Sequence, residues 1–192
     1  YEISACLVGS EMCIRDSIKP EEKVLLYDDN AAHPGLAAAE WIADSGAELE
    51  IITPERFFGA DIGGLNHVAY AEVFDRCGVK ITISKRLKAV RRDGSELVAH
   101  IGSDFSSRIE ERRVDQVVVE HGTLPLDDLY FELKPESLNL GEVDYASLID
   151  GKPQELRKNP EGAFRLFRIG DAVSSRNIHS AIYDALRLCI TL

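Results

Sequence analysis

The chain has 192 residues, 45% hydrophobic and 29% charged, which is the composition of a globular protein with room for one or two compact cores. Its net charge of -11 argues against a general binder of phosphate backbones, so we expect no nucleic-acid partner. No stretch approaches the roughly 20 apolar residues of a membrane span, so we expect no membrane partner either. The four cysteines lack the spacing of a redox pair or zinc site, which favours a reducing, cytoplasmic location.

Residues 1–17 have a sequence unlike that of the stretch after them. The run ACLVGSEMCIRDS resembles the conceptual translation of a sequencing adapter, as found at the ends of metagenomic gene models. We therefore interpret residues 1–17 as a disordered artefact and exclude them from fold reasoning. The alternative is a genuine strand over Ile3–Val8. An adapter join also predicts that the natural protein extends upstream of this chain.

A strand–helix–strand pattern follows. KVLLY, over Lys23–Tyr27, is a short apolar run typical of a buried parallel strand. The next stretch predicts a helix over His33–Ser45, with Pro34 in its first turn and Gly46 just past its end. Ala47–Thr53 is a second strand. Together they form a βαβ unit, the core of a dinucleotide-binding fold.

The remaining elements continue this alternation. The pattern predicts a loop over Phe57–Asn66, a helix over His67–Cys77 and a strand over Val79–Ser84. An antiparallel meander with a hairpin turn at Asp93-Gly94 is predicted over Leu87–Arg92, Glu96–Ile101 and Ser107–Glu111. After it we expect a buried strand over Arg113–Glu120, a loop-rich stretch over 133–160 with a short amphipathic piece at Asp144–Ile149, a strand over Ala163–Ile169 and a helix over Asn177–Cys189.

The turn after the first strand is where a dinucleotide-binding fold holds a pyrophosphate. Such a turn needs glycines, because backbone N–H groups must approach the phosphate closely. The stretch from Asp28 to Glu40 reads DDNAAHPGLAAAE, in which Gly35 is the only glycine and Asp28 and Asp29 bring negative charge. The strand–helix–strand pattern of the fold is present, but the glycine-rich sequence of its phosphate-binding turn is absent. This absence argues against tight NAD(P) binding.

A more specific ligand-binding motif lies near the C-terminal end, in FRIGDAVSSRNIHSAIYDALRLC over Phe167–Cys189. Gly170 permits a tight turn against a ligand, and the Asp171 carboxylate can accept a hydrogen bond from a ribityl or ribose hydroxyl. The N–H groups that begin the next helix favour a pyrophosphate, and Arg176 adds positive charge. We therefore predict an FAD or ADP site, and no catalytic residue or metal ligand. Its cofactor-binding residues are Gly170, Asp171, Ala172, Arg176, Asn177, Ile178 and His179.

Three segments carry a resemblance to a known family. They are KVLLYDDNAAHPGLAAAEWIADSGAELEIITPERFFG, RVDQVVVEHGTLPLDDLYFEL and the Gly-Asp segment FRIGDAVSSRNIHSAIYDALRLC. From about Lys23 onward, the sequence is similar to the C-terminal part of the NADH:flavin oxidoreductases related to trimethylamine dehydrogenase, 2,4-dienoyl-CoA reductase and N-methylproline demethylase. The first and last segments are most similar to the demethylase branch.

The resemblance implies an α/β, glutathione-reductase-like architecture. Residues 18–112 would form a Rossmann-like NAD(P)-type domain with an antiparallel meander, and residues 113–192 the C-terminal part of an FAD/ADP-binding domain. The family also places nucleotide or inter-domain contacts near His121. FMN and a 4Fe–4S cluster would lie in an N-terminal barrel of the same protein, outside this chain, with an electron-transfer protein as a further partner.

Two functions follow from this resemblance. The whole enzyme would oxidise an N-methylated amine or reduce an enoyl substrate, while the chain alone would be inactive. The alternative is a degenerate structural or docking module that no longer binds a dinucleotide.

Overall fold

A computed structural model of the chain describes residues 17–190. The segment interpreted as adapter, residues 1–17, lies outside the described residues except for Ser17. The alternative strand Ile3–Val8 lies wholly outside them. The chain divides into two compact units, of which the first ends at Gly122 and the second begins at Thr123. Within residues 17–190, no helix is both long enough and apolar enough to cross a membrane.

The first unit consists of a parallel sheet, two helices and a three-stranded meander. Its elements are β1 (Lys23–Asp28), α1 (His33–Asp44), β2 (Glu48–Ile52), α2 (Gly64–Arg76), β3 (Lys80–Thr82), β4 (Arg86–Asp93), β5 (Glu96–Ser103), β6 (Ser106–Val114) and β7 (Gln116–Glu120). The parallel sheet has the order β3-β2-β1-β7, and the antiparallel meander has the order β4-β5-β6. The predicted α/β fold with a parallel sheet and a meander is confirmed.

Strand β1 separates two hydrophobic cores, because successive side chains of a strand point to opposite faces. Val24 and Leu26 lie in the core that contains Leu36 and Ile42 of α1 and Phe74 of α2. On the other face, the second core contains side chains of β1, β2 and the meander. They are Leu25, Tyr27, Ile52, Ala99, Ile101 and Val114. The meander therefore covers one face of the parallel sheet, and the helices cover the other.

A polar network also joins the parallel sheet to the meander. The Glu50 carboxylate on β2 accepts a 2.7 Å hydrogen bond from Thr82 and lies 3.1 Å from both the Lys80 amine and the Arg112 guanidinium. Arg112 lies on β6 and also pairs with Glu110 at 3.2 Å. Since Glu50 is half-buried, its charge depends on these partners.

The structure corrects the position of the boundary between the units. The predicted boundary after residue 112 falls inside β6, and the predicted strand Arg113–Glu120 is divided at Asp115 into the end of β6 and the whole of β7. At this point the Asp115 carboxylate accepts a 2.8 Å hydrogen bond from the Lys23 amide, and β7 then pairs with β1. An apolar run does not reveal which sheet it will join, so the sequence placed β7 in the wrong unit.

The second unit contains short helices and long extended segments. Its elements are α3 (Asp128–Leu133), a 3₁₀ turn (Lys134–Glu136), α4 (Tyr145–Ile149), a 3₁₀ turn (Gly170–Ala172) and α5 (Ile178–Cys189). The predicted strand over Ala163–Ile169 is wrong, since only Phe164 forms a bridge, to Ser137. The buried Asn139 side chain binds this segment in place of a neighbouring strand. Its amide donates to the Leu166 carbonyl at 2.7 Å, and its oxygen accepts from the Leu166 N–H at 2.8 Å.

Candidate nucleotide-binding site

The Gly-Asp-Ala segment forms a tight 3₁₀ turn between an extended segment and the start of α5. Gly170 is buried, with φ at +57°, a region that residues with a side chain rarely adopt. A Cβ at this position would lie 3.1 Å from the Cβ of Ala181 on α5. The glycine is therefore required by the backbone conformation and by close packing against α5, independently of any ligand.

We expect the substitution Gly170→Ala to destabilise the second unit more than Gly151→Ala does. Gly151 has the same backbone region, with φ at +66°, but has no atom within 4 Å of its hypothetical Cβ. Both variants lose about 1–2 kcal/mol to backbone strain, and Gly170→Ala loses about 1 kcal/mol more through crowding against Ala181. Calorimetric unfolding of both variants measures the difference. Equal losses would show that the Ala181 contact is unimportant.

A groove of about 330 Å³ lies beside this turn, within the second unit. One wall consists of Asp171, Ala172 and Ser175, and the other of residues 123–126. The structure thus brings two of the predicted residues, Asp171 and Ala172, to a concave surface. Sequence reasoning missed the wall formed by residues 123–126, although the Gly122-Thr123-Leu124-Pro125 sequence after an apolar strand is a turn signal at a chain crossover.

The two walls of the groove differ in chemistry. The carboxylate-bearing Asp171 is exposed on one side. On the other side, Leu124 and Leu126 are 90% and 94% exposed, which is unusual for two large apolar side chains so close together. A ligand in this groove can therefore present hydroxyl groups to one wall and an apolar ring or chain to the other.

Arg168 connects the two walls. Its guanidinium forms an ion pair with Asp127, next to one wall, and donates to the Ala172 carbonyl on the other at 3.4 Å. The same guanidinium lies 4.6 Å from the Tyr130 ring centroid and 5.4 Å from that of Phe131. These contacts leave the planar group little freedom, so Arg168 fixes the spacing of the walls.

The other predicted site residues lie outside the groove, at the start of α5. Arg176 is paired with Asp184, whose carboxylate also accepts a 3.3 Å hydrogen bond from the Gly170 amide. Asn177 is the N-cap of α5, where its side-chain oxygen accepts a 2.9 Å hydrogen bond from the Ser180 amide. The next two predicted residues, Ile178 and His179, are exposed. Arg176 and Asn177 therefore already have structural partners.

The first βα turn, in the first unit, has a different arrangement. The Asp28 carboxylate is buried and accepts hydrogen bonds from the Asn30 amide at 3.1 Å and the Ala31 amide at 2.9 Å. Burial raises the pKa of Asp28 to about 6, the two amides oppose this shift, and the charges of Glu120 and Asp29 add to it. These amides belong to the turn that would face a pyrophosphate in a dinucleotide-binding domain.

His121, for which the family resemblance implied a nucleotide or inter-domain contact, lies near the same turn. Its Nδ1 is 2.7 Å from an Asp29 carboxylate oxygen, and its side chain is 75% exposed. In the structure His121 therefore pairs with an acidic residue of the first unit.

Comparison with known proteins supports the sequence resemblance. No protein-family model matches the chain. Over 175 residues, or 91% of the chain, it is 51% identical to the probable N-methylproline demethylase of Rhizobium meliloti. Over 177 residues, or 90% of the chain, it is 40% identical to the N,N-dimethylglycine/sarcosine dehydrogenase of Chromohalobacter salexigens. These matches show that the chain resembles part of this demethylase and dehydrogenase family of oxidoreductases.

The chain spans about a quarter of the length of these family members, 26% in each case. The histamine dehydrogenase of Rhizobium sp. 4-9 provides a solved structure for comparison. It covers 88% of the chain with a TM-score of 0.62 at 21% identity, and the chain covers 23% of it. This likeness supports the α/β fold.

Proposed function

We propose that the second unit binds the adenine nucleotide portion of FAD, or ADP, in a flavin-dependent oxidoreductase of the N-methyl amine demethylase type. The observation that carries this proposal is the groove in which Asp171 and Ala172 face the apolar segment of residues 123–126. The resemblance to the demethylase and dehydrogenase relatives supports the oxidoreductase part of the proposal.

The groove fits part of a nucleotide. At about 330 Å³ it is at the small end of the range for ligand pockets. In our proposal the Asp171 carboxylate accepts a hydrogen bond from a ribose or ribityl hydroxyl, a charge-assisted contact. Leu124 and Leu126 offer apolar contact to a ring. Arg176, Asn177, Ile178 and His179 remain candidates for the pyrophosphate, but a phosphate that contacts Arg176 has to compete with Asp184.

The remaining parts of the enzyme are assigned by family resemblance. We propose that the first unit is an NAD(P)-type Rossmann domain without tight NAD(P) binding. FMN and a 4Fe–4S cluster belong to a barrel outside this chain, and that barrel and an electron-transfer protein are the partners. A cytoplasmic location accords with this chemistry. The protein positions such cofactors and tunes their electrostatics, while the cofactors carry the redox step.

The test is the nucleotide content of the whole enzyme, made by joining this chain to the upstream part of its gene product. We expect the purified protein to carry FAD or ADP. The substitution Asp171→Asn should weaken ADP binding about tenfold, because it removes one charge-assisted hydrogen bond. Asp150→Asn is the matched control, since Asp150 lies in the same unit, pairs with Lys152 and does not line the groove. A purified enzyme with neither FAD nor ADP would contradict the proposal.

A second candidate function is a structural or docking module, which the first unit favours. Its first βα turn has no glycine before Gly35, so the backbone cannot approach a pyrophosphate as in a dinucleotide-binding turn. Titration of the whole enzyme with NADH and NADPH addresses this candidate separately. Tight binding of either to the first unit would exclude it.

A further inference from the structure

The first βα turn has the geometry of an anion-binding site that already contains an anion. Ala31 has a positive φ of 54°, which turns successive backbone N–H groups toward one point. Such a concave arrangement of amides binds anions, and here the Asn30 and Ala31 amides both donate to one oxygen of Asp28. Both donors are therefore satisfied by the chain itself.

The space above the first turn of α1 is filled by the same carboxylate. A Cβ on Gly35 would lie 2.7 to 2.9 Å from the Asp28 carboxyl carbon and its two oxygens. Gly35 thus allows a group to lie against the N-terminal turn of α1, where the helix dipole favours negative charge. In dinucleotide-binding domains a phosphate lies against this turn.

We propose that Asp28 is a built-in anion that takes the place of a ligand phosphate and keeps the first unit closed to dinucleotides. This inference concerns the first unit, so it does not rest on the nucleotide site proposed for the second. The chain satisfies the amides of the turn and the N-terminus of α1 with its own charge. Removal of the carboxylate frees the two amides, empties the space over Gly35 and permits binding of a phosphate group.

The test is a titration of the full chain with inorganic phosphate, followed by the ¹⁵N-amide resonances of Asn30, Ala31 and Gly35. We expect no saturable shift in the unsubstituted chain. In Asp28→Ala we expect saturable shifts, because the freed amides can bind phosphate through charge-assisted hydrogen bonds, each of which contributes about a factor of ten in affinity. Asp29→Ala is the matched control. It removes one negative charge from the same turn but leaves Asp28 in place, so it should behave as the unsubstituted chain.

Two results would overturn the proposal. One is a saturable shift at these amides in the unsubstituted chain, which would mean that the position is open. The other is a folded Asp28→Ala variant without any shift. If Asp28→Ala does not fold, Asp28→Ser replaces it, because a serine oxygen can accept a hydrogen bond from one amide of the turn while leaving the other amide and the space over Gly35 open to phosphate.

A second measurement requires no ligand. Gly35→Ala should lower the melting temperature of the unsubstituted chain, because the new methyl group would overlap the Asp28 carboxylate. In the Asp28→Ala background the same substitution should be tolerated. If Gly35→Ala lowers the melting temperature equally in both backgrounds, the carboxylate does not occupy this space and the proposal fails.

Discussion

The substitution Asn139→Ala is expected to destabilise the second unit by about 3 kcal/mol or more. The Asn139 side chain is buried and forms three hydrogen bonds with the main chain, two to Leu166 and one to the Glu142 carbonyl. Alanine leaves the Leu166 N–H and both carbonyls without these partners. An unpaired buried polar group costs more than an average hydrogen bond contributes.

The measurement is the hydrogen-exchange rate of the Leu138 amide, which donates to the Phe164 carbonyl and keeps this acceptor in the variant. A loss of about 3 kcal/mol corresponds to exchange more than about a hundredfold faster. Asn159→Ala is the matched control, because the Asn159 side chain, which is only partly buried, also bonds the main chain, at Pro135 and Glu161. We expect Asn159→Ala to lose less than about 1 kcal/mol. Similar exchange rates in the two variants would contradict the role of Asn139.

The second large effect is a pH dependence that the variant Asp28→Asn should lack. The pKa of Asp28 is raised by burial from 3.8 to about 6, so the folded state holds its proton more tightly than the unfolded state does. The stability contributed by this proton is complete below pH 3.8 and disappears as the pH rises through about 6. The loss amounts to about 3 kcal/mol. Asparagine has no charge to bury, so the stability of the Asp28→Asn variant should not show this pH dependence.

Urea unfolding between pH 4 and pH 8 measures this effect, with the fluorescence of Trp41 as the signal. Trp41 is the only tryptophan of the chain and packs against the core between the parallel sheet and α1. The advantage of Asp28→Asn over the unsubstituted chain should grow across this range. The control Asp61→Asn removes an exposed acid of the same unit. Parallel curves for Asp28→Asn and the unsubstituted chain would contradict the raised pKa of Asp28.

The sequence predicted the first unit well because its patterns are local. The apolar run of β1, the proline and glycine at the ends of α1, and the Asp93-Gly94 hairpin each determine structure within a few residues. The predicted start of α2, at His67, is three residues after the observed start at Gly64. Gly63 and Gly64 have low helix propensity and suggest a loop.

Tertiary contacts explain what the sequence did not predict. The segment Ala163–Ile169 has the apolar pattern of a strand, but its hydrogen-bond partner is the side chain of Asn139, 27 positions before Leu166. The wall of residues 123–126 was missed for a similar reason, because its place beside Asp171 depends on the ion pair of Arg168 with Asp127. From the sequence alone, Asp28 could be recognised only as a negative charge in a phosphate-binding turn. Its hydrogen bonds with the Asn30 and Ala31 amides could not be predicted.

The Glu50 network has a consequence for how this domain can change in evolution. The meander is connected to the parallel sheet through Arg112, whose positive charge faces the half-buried Glu50 of β2. A deletion that removed β4 to β6 would take away this guanidinium and expose one face of the sheet at the same time. A shortened domain of this kind would need polar residues at positions such as Leu25 and Ile52, while Glu50 would keep Lys80 and Thr82 as its partners. The meander is therefore an integral part of the domain, and it cannot be gained or lost in a single step.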